Sequence, residues 1–181
     1  MVPKIELRKD QKIFIGRHGN CIPADKDADR VLSEQGISDT ESVSAKLKSL
    51  GFIPETLIIS HAKRVGQTTD ILFPNMGRAV YGDLYNFEQF PNCEKLYKNK
   101  ITNPLQYYTE DQEIVHAFQE KLFRFLEYDV RDTNYITIIS HAVISNFVAM
   151  MFTDNDVVYD TMLPESAGFL ITRDSVELIM P

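Results

Sequence analysis

The chain has 181 residues, of which 44% are hydrophobic and 25% charged, the balance of one folded domain rather than of a disordered segment. Its net charge of −7 argues against nucleic-acid binding through bulk electrostatics. No apolar run approaches the roughly 20 residues of a membrane helix, and the first residues lack the apolar core of a secretory signal. With only two cysteines and no metal-ligand spacing, we expect a cytoplasmic protein that has no membrane or nucleic-acid partner.

Three short apolar runs predict buried strands, at residues 12–16, 56–60 and 135–139. β-branched residues dominate all three, and each run leads into polar residues and then into a segment with helical character. Strands that alternate with helices are typical of a mostly parallel sheet with both faces covered. The sequence therefore predicts an α/β fold.

Helices are predicted between these strands. Ser38 and Glu41 form the S-x-x-E pattern of a capping box, and Gly51 is a typical stop signal. A second helix is indicated by apolar residues at helical spacing, namely Ile114, Phe118, Leu122 and Phe125. At the end of the chain, residues 168–179 predict a β-hairpin that closes one edge of the sheet.

Residues 82–109 do not show a regular pattern, because asparagine and proline are mixed with many aromatic residues. A long loop inside a compact domain is either functional or disordered, and the aromatic content favours an ordered one. We therefore predict an insertion that packs over the active end of the sheet. It serves either as a substrate-facing lid or simply as a packed loop.

Charged and titratable residues follow the predicted strands. Arg17 and His18 come directly after the first strand, Arg64 lies a few residues beyond the second, and His141 comes after the third. Ligands of open α/β sheets bind beyond the carboxyl ends of the strands. Arginine forks suit a phosphoryl group, and histidine can be either a nucleophile toward phosphorus or a cationic donor. The sequence therefore predicts a compact positive pocket on an acidic protein.

Four motifs carry a family resemblance. They are Arg17-His18-Gly19, the L-[ST]-x-x-G pattern of residues 32–36, the S-x-x-x-R-x-x-Q-T pattern of residues 60–68, and Ser140-His141. In this order they resemble the histidine phosphatase superfamily, also called phosphoglycerate mutase-like. The resemblance implies a single domain over residues 1–181 with the long insertion at about 82–109. It also implies a three-layer α/β/α sandwich with a mostly parallel central sheet.

The resemblance further implies a role for each matched residue. His18 would be the phosphorylated nucleophile, and Arg17 and Arg64 would clamp the phosphoryl oxygens. His141 would be a further donor to those oxygens, and Asn20 could add a neutral hydrogen bond to the phosphate. Pre-placed cations stabilise a transferring phosphoryl group, so we expect neither a metal ion nor an organic cofactor.

The length is nearest to that of the SixA-like phosphohistidine phosphatases, so the leading hypothesis is a phosphatase that acts through a phosphohistidine intermediate. Its partner would be a phosphohistidine protein or a phosphorylated small molecule. Two alternatives are a sugar-phosphate or other small-molecule phosphomonoesterase or mutase, and a non-catalytic module that binds a phosphorylated ligand. The sequence does not determine the oligomeric state.

A general acid is the least defined part of the predicted site. Glu88 is preferred, because Phe87 and Phe90 could raise its pKa by desolvation. Asp83 is the alternative. A third possibility is that the protein has no dedicated acid.

Overall fold

A computed structural model of the protein describes residues 4–85 and 87–181. Its strands are β1 (Lys12–Arg17), β2 (Thr56–Ile59), β3 (Ala79–Val80), β4 (Tyr135–Ser140), β5 (Gly168–Thr172) and β6 (Val176–Ile179). Its α-helices are α1 (Glu34–Ser49), α2 (Lys63–Leu72), α3 (Pro91–Lys98), α4 (Pro104–Glu110), α5 (Gln112–Asp132), α6 (Ala142–Ala149) and α7 (Asp156–Asp160). Short 3₁₀ turns occur at Asp27–Asp29, Gly82–Leu84 and Phe87–Gln89.

The six strands form one sheet in the order β3-β2-β4-β1-β5-β6. The first four strands in the chain pair in parallel, whereas β5 is antiparallel to both β1 and β6. This confirms the predicted mostly parallel sheet and the closing hairpin. Within the described residues, no helix is long and apolar enough to cross a membrane.

Alternating side chains of the strands separate the core into two layers. On β1, Ile13 and Ile15 pack with Phe118 of α5 and Phe147 of α6, whereas Phe14 faces the opposite side. There it meets residues of α1 and α2, which include Val43, Leu47, Val65 and Leu72. Because helices cover both faces of the sheet, the central strands β1, β2 and β4 are buried and apolar over most of their length, as the sequence predicted.

Three sequence-based expectations need correction. Helix α1 begins at Glu34 and not at Ser38, because the Ser33 hydroxyl accepts a hydrogen bond from the Gly36 amide and caps the helix one turn earlier. On α5 the predicted buried stripe is confirmed at Phe118 and Leu122 but is wrong at its two ends, because Ile114 is only partly buried and Phe125 is exposed. Its buried members are Val115, Phe118, Gln119, Leu122 and Leu126.

The third correction concerns residues 82–109, which are largely helical rather than an irregular loop. Two 3₁₀ turns and the helices α3 and α4 occupy most of this segment. Proline stands at the first position of both helices, where its missing amide costs no hydrogen bond. The Asn103 side chain also caps α4 by accepting from two backbone amides. The prolines and asparagines therefore mark helix starts in this segment.

Two glycines allow α1 to pack against the loop that follows β1. A Cβ atom on Gly36 would overlap the carbonyl oxygen of Asn20, and one on Gly19 would lie 2.9 Å from the carbonyl oxygen of Gly36. This close backbone approach explains why a glycine ends the L-[ST]-x-x-G pattern of residues 32–36.

We predict that Gly36→Ala lowers the free energy of unfolding by about 1–3 kcal/mol, since the added methyl group forces two backbone segments apart. The gain in helix propensity from glycine to alanine, about 1 kcal/mol, acts in the opposite direction and is the smaller effect. Urea unfolding measures the difference. Gly77→Ala is the matched control, because nothing lies within 4 Å of its added Cβ, and an equal loss in both variants would contradict the packing argument.

Candidate active site

His18 lies at the carboxyl end of the central strand β1 and is held there by its backbone. Its amide donates to the Ser140 carbonyl at 3.1 Å, and its carbonyl accepts from the Ser166 amide at 3.1 Å. The ring is buried, and Nδ1 lies 2.8 Å from the Gly19 carbonyl oxygen. A carbonyl only accepts, so Nδ1 carries the proton and the lone pair is on Nε2.

Arg64, the second residue of α2, lies beside this lone pair. Its Nε donates to His18 Nε2 at 3.2 Å, and its Nη2 lies 3.2 Å from His141 Nδ1. The guanidinium is almost completely buried. One charged group therefore connects the two histidines that the sequence places after separate strands.

His141 precedes α6 and has its two ring nitrogens in different surroundings. Nε2 lies 2.8 Å from the Ser60 hydroxyl, and Nδ1 faces Arg64. Because Arg64 only donates, Nδ1 is the acceptor and Nε2 bears the proton. Ser60 thus fixes the ring so that Nδ1 faces Arg64.

The last two motif residues of segment 60–68 hold the loop that follows β1. The Thr68 hydroxyl accepts from the Gly19 amide at 3.0 Å, and the side-chain Oε1 of Gln67 accepts from the Leu32 amide at 2.8 Å. Together with Arg64 and Ser60, these contacts explain each fixed position of the S-x-x-x-R-x-x-Q-T pattern.

Arg17 is the last residue of β1 and directly precedes His18. Its Nη1 donates to the Leu163 carbonyl at 3.0 Å, and its Nη2 lies 3.5 Å from Glu165 Oε1. Its Nε is buried and has no hydrogen-bond partner among the described residues. A buried donor without a partner is costly, so this N–H is suited to an anionic ligand.

Asp27, in the 3₁₀ turn after β1, occupies the outer side of Arg64. Its carboxylate Oδ2 accepts from Arg64 Nη2 at 2.8 Å and from the Tyr85 hydroxyl at 2.9 Å, and its backbone carbonyl accepts from Arg64 Nη1. Burial alone would raise the pKa of Asp27, but the hydrogen bonds from Arg64 and Tyr85 hold this pKa at about 2. The carboxylate is therefore ionised and stands where a ligand anion would meet Arg64.

These groups surround a cavity of about 420 Å³. The predicted residues Arg17, His18, Arg64, His141 and Glu88 all line it, so the structure brings five of the six together. The other residues of its wall, which sequence reasoning did not assign to the site, are Asp27, Arg30, Tyr85, Glu94, Tyr97, Ala142 and Glu165.

Asn20, the sixth predicted residue, is not part of the described cavity wall. Its amide nitrogen donates to Glu165 Oε2 at 2.7 Å, and its amide oxygen accepts from the Ser33 hydroxyl at 2.6 Å. Both ends of the side chain are thus already used within the protein. Asn20 reaches the cavity only through Glu165.

The two candidates for a general acid differ in position. Glu88 is exposed and lines the cavity, whereas Asp83 accepts from the Tyr81 hydroxyl at 3.4 Å and is not on the described wall. Phe90 is fully buried against Phe118 and Phe147. The side chain of Phe87 lies outside the described residues.

Burial and the nearby arginines keep both histidines neutral. Desolvation is the largest effect on His18, and Arg64 and Arg17 add to it, so that its pKa falls to about 3. Burial also lowers the pKa of His141 well below its ordinary value, with further contributions from His18 and Arg64. At neutral pH the His18 ring thus presents an unprotonated Nε2 to the cavity.

We predict that this neutral histidine makes stability depend on pH. Between pH 6.5 and 3 the unfolded chain binds a proton at His18 that the folded chain does not, so the free energy of unfolding falls as the pH falls. His18→Asn removes this contribution, and its stability should drop about 2 kcal/mol less than that of the wild type between pH 7 and pH 5. Urea unfolding at the two pH values measures the difference, and an identical loss in both proteins would disprove it.

We compared the chain with protein-family models, curated proteins and solved structures. No family model and no curated protein matches the chain. Among solved structures, the protein histidine phosphatase SixA in complex with tungstate aligns with a TM-score of 0.64 at 17% identity, over 94% of this chain and 97% of that chain.

Two further structures align over a similar length. They are the alpha-ribazole phosphatase from Shigella flexneri, with a TM-score of 0.59, 13% identity and coverage of 94% of this chain and 95% of that one, and the phosphoglycerate mutase from Bacillus anthracis, with a TM-score of 0.57, 13% identity and coverage of 94% and 92%. Likeness at these identities concerns the fold. The chain therefore has the phosphoglycerate mutase-like α/β fold of the histidine phosphatases, as its four motifs predicted.

Proposed function

We propose that the protein is a phosphatase that removes a phosphoryl group through a phosphohistidine intermediate on His18. The observation that carries this proposal is the fixed tautomer of His18. Its Nδ1–H donates to the Gly19 carbonyl, and its Nε2 lone pair faces the cavity beside Arg64. A neutral, oriented imidazole is the form of histidine that can attack phosphorus.

The surrounding cations supply the binding energy for the phosphoryl group. The unpartnered Nε of Arg17 and the guanidinium of Arg64 would donate to its oxygens, since charge-assisted hydrogen bonds are strongest in a water-poor site. His141 Nδ1 would become a third donor once it is protonated, which a bound dianion favours. The substrate oxygen would replace Asp27 on Arg64.

The reaction would proceed in two steps. In the first step, His18 Nε2 forms a bond to phosphorus, the bond from phosphorus to the leaving oxygen breaks, and that oxygen takes a proton. In the second step, a water oxygen attacks phosphorus, the P–N bond breaks, and the electron pair returns to Nε2. The water gives its proton to the Glu88 carboxylate, which lost one to the leaving oxygen in the first step, and inorganic phosphate is released.

Glu88 is the proposed proton donor in the first step. Of the two predicted candidates, it is the one on the described cavity wall. No metal or organic cofactor is proposed, because the arginines provide the positive charge. The whole chain would be one phosphatase domain, with residues 82–109 as its substrate-facing side.

The substrate is proposed to be a phosphorylated small molecule or a phosphohistidine protein. The fold supports both classes, because the aligned structures include a protein histidine phosphatase, an alpha-ribazole phosphatase and a phosphoglycerate mutase. A mutase would return the phosphoryl group to a second hydroxyl instead of water. A module that only binds phosphorylated ligands would show no turnover at all.

We predict that a radiolabelled phosphoryl donor traps a phosphoenzyme that is labile in acid and stable in base, the behaviour of a phosphorus–nitrogen bond. His18→Ala should abolish this label, since His18 Nε2 is the proposed nucleophile. His61→Ala is the control, because His61 is exposed and packs against the ring of Tyr85. An acid-stable label, or a label that persists in His18→Ala, would refute the mechanism.

The identity of the proton donor can be tested with substrates whose leaving groups differ in their need for a proton. With an alkyl phosphate, Glu88→Gln should lower the rate by about 10²–10⁴-fold, the usual contribution of general acid catalysis. With p-nitrophenyl phosphate, whose leaving group needs no proton, the same change should have only a small effect. Asp83→Asn should retain the alkyl phosphate rate. If Asp83→Asn shows the loss instead, the assignment to Glu88 is wrong.

A further inference from the structure

The charges that line the cavity are unusual for a site that binds an anion. Three arginines and four carboxylates line it, and no lysine is part of its described wall. Each arginine is already paired inside the cavity. Arg17 lies 3.5 Å from Glu165, and Arg30 and Arg64 lie 3.3 Å and 2.8 Å from the carboxylate oxygens of Asp27.

A bound phosphoryl group therefore leaves no arginine for a second anion. The phosphoryl oxygens would take Arg17 and Arg64, while Asp27 would keep its pairing with Arg30. Even with Glu88 protonated as the proposed acid, the cavity then carries an excess of negative charge, because the phosphoryl group adds its own charge and Glu94 has no arginine partner among the described ion pairs.

The remaining wall of the cavity, apart from Ala142, comes from residues 85–97. It consists of two tyrosines, Tyr85 and Tyr97, and two carboxylates, Glu88 and Glu94. Glu94 is paired at 2.7 Å with Lys98, one turn further along α3, whose side chain is largely exposed. Since the phosphoryl group belongs beside His18, this wall is the surface that the leaving group would meet.

Resting on the proposed function, we propose that the leaving group of the substrate carries a positive charge close to the phosphoryl group, as in an amino-alcohol phosphate. Aromatic rings and carboxylates together recognise ammonium groups through cation–π and ionic attraction. A leaving group with a carboxylate, such as glycerate, or with a second phosphate would meet Glu88 and Glu94 instead. The wall thus selects by charge among phosphate monoesters.

The test uses three substrates that differ mainly in leaving-group charge: phosphocholine, its neutral isostere 3,3-dimethylbutyl phosphate, and 3-phosphoglycerate. Because choline is intrinsically the better leaving group, the measured quantity is the ratio of kcat/KM for phosphocholine to that for the isostere, compared between variants. Intrinsic reactivity cancels in this comparison. Calorimetric dissociation constants for the three compounds with His18→Ala give the same selectivity without turnover.

Two variants should shift the ratio in opposite directions. Glu94→Gln removes a carboxylate and should lower the ratio on the order of fivefold, whereas Lys98→Met removes the cation that partly neutralises Glu94 and should raise it. Glu113→Gln, on the exposed face of α5 and outside the described cavity wall, is the matched control and should leave the ratio unchanged.

The outcomes separate this inference from the proposed function. Tighter binding of phosphocholine than of 3-phosphoglycerate, with opposite shifts in the two variants, supports it. If p-nitrophenyl phosphate is hydrolysed through His18 but the ratio does not respond to Glu94 or Lys98, the charge selectivity is wrong and the phosphatase proposal stands. If no phosphoenzyme forms with any donor, the proposed function fails, and the calorimetric order of binding still decides the selectivity.

Discussion

The parallel pairing of β1 with β4 is the constraint on which the candidate site depends. Arg17 stands opposite Ser140 in this pairing, and the His18 amide donates to the Ser140 carbonyl one step further on. The two strands therefore end together, and the side chains that follow them are forced to the same edge. The two histidine rings lie 5.0 Å apart, although 122 residues separate them in the sequence.

The second requirement is a buried cation between these rings. Taking a guanidinium out of water costs several kcal/mol unless every N–H is bonded and a counter-charge is near. Arg64 uses four of its five N–H groups in bonds to His18, His141 and the two acceptors of Asp27, whose carboxylate is the counter-charge. The same charge helps to keep both rings neutral, so the folded arrangement itself sets the protonation state that nucleophilic attack requires.

Strong local patterns in the sequence predicted the central sheet and the closing hairpin, and five of the six residues expected in the site line the cavity. The start of α1 was predicted wrongly because Ser38 and Glu41 imitate a capping box, whereas Ser33 is the residue whose hydroxyl meets a free amide. Residues 82–109 were predicted to be irregular because proline and asparagine signal both loops and helix starts. No sequence pattern indicated that Asp27 and Glu165 belong to the site. Both lie in loops, and the tertiary fold brings these loops to the cavity.

Because Asp27 is paired with Arg64, a phosphate ligand has to replace this carboxylate on the arginine when it binds. An open cationic pocket gathers counterions from solution, so its affinity for phosphate falls steeply as salt is added. Here the counterion is part of the chain and is held by Tyr85 and Arg30 as well as by Arg64. An incoming phosphate displaces the Asp27 carboxylate from Arg64 and releases no counterion to the solution. Its affinity is therefore expected to change less with ionic strength in the native protein than after removal of the Asp27 carboxylate.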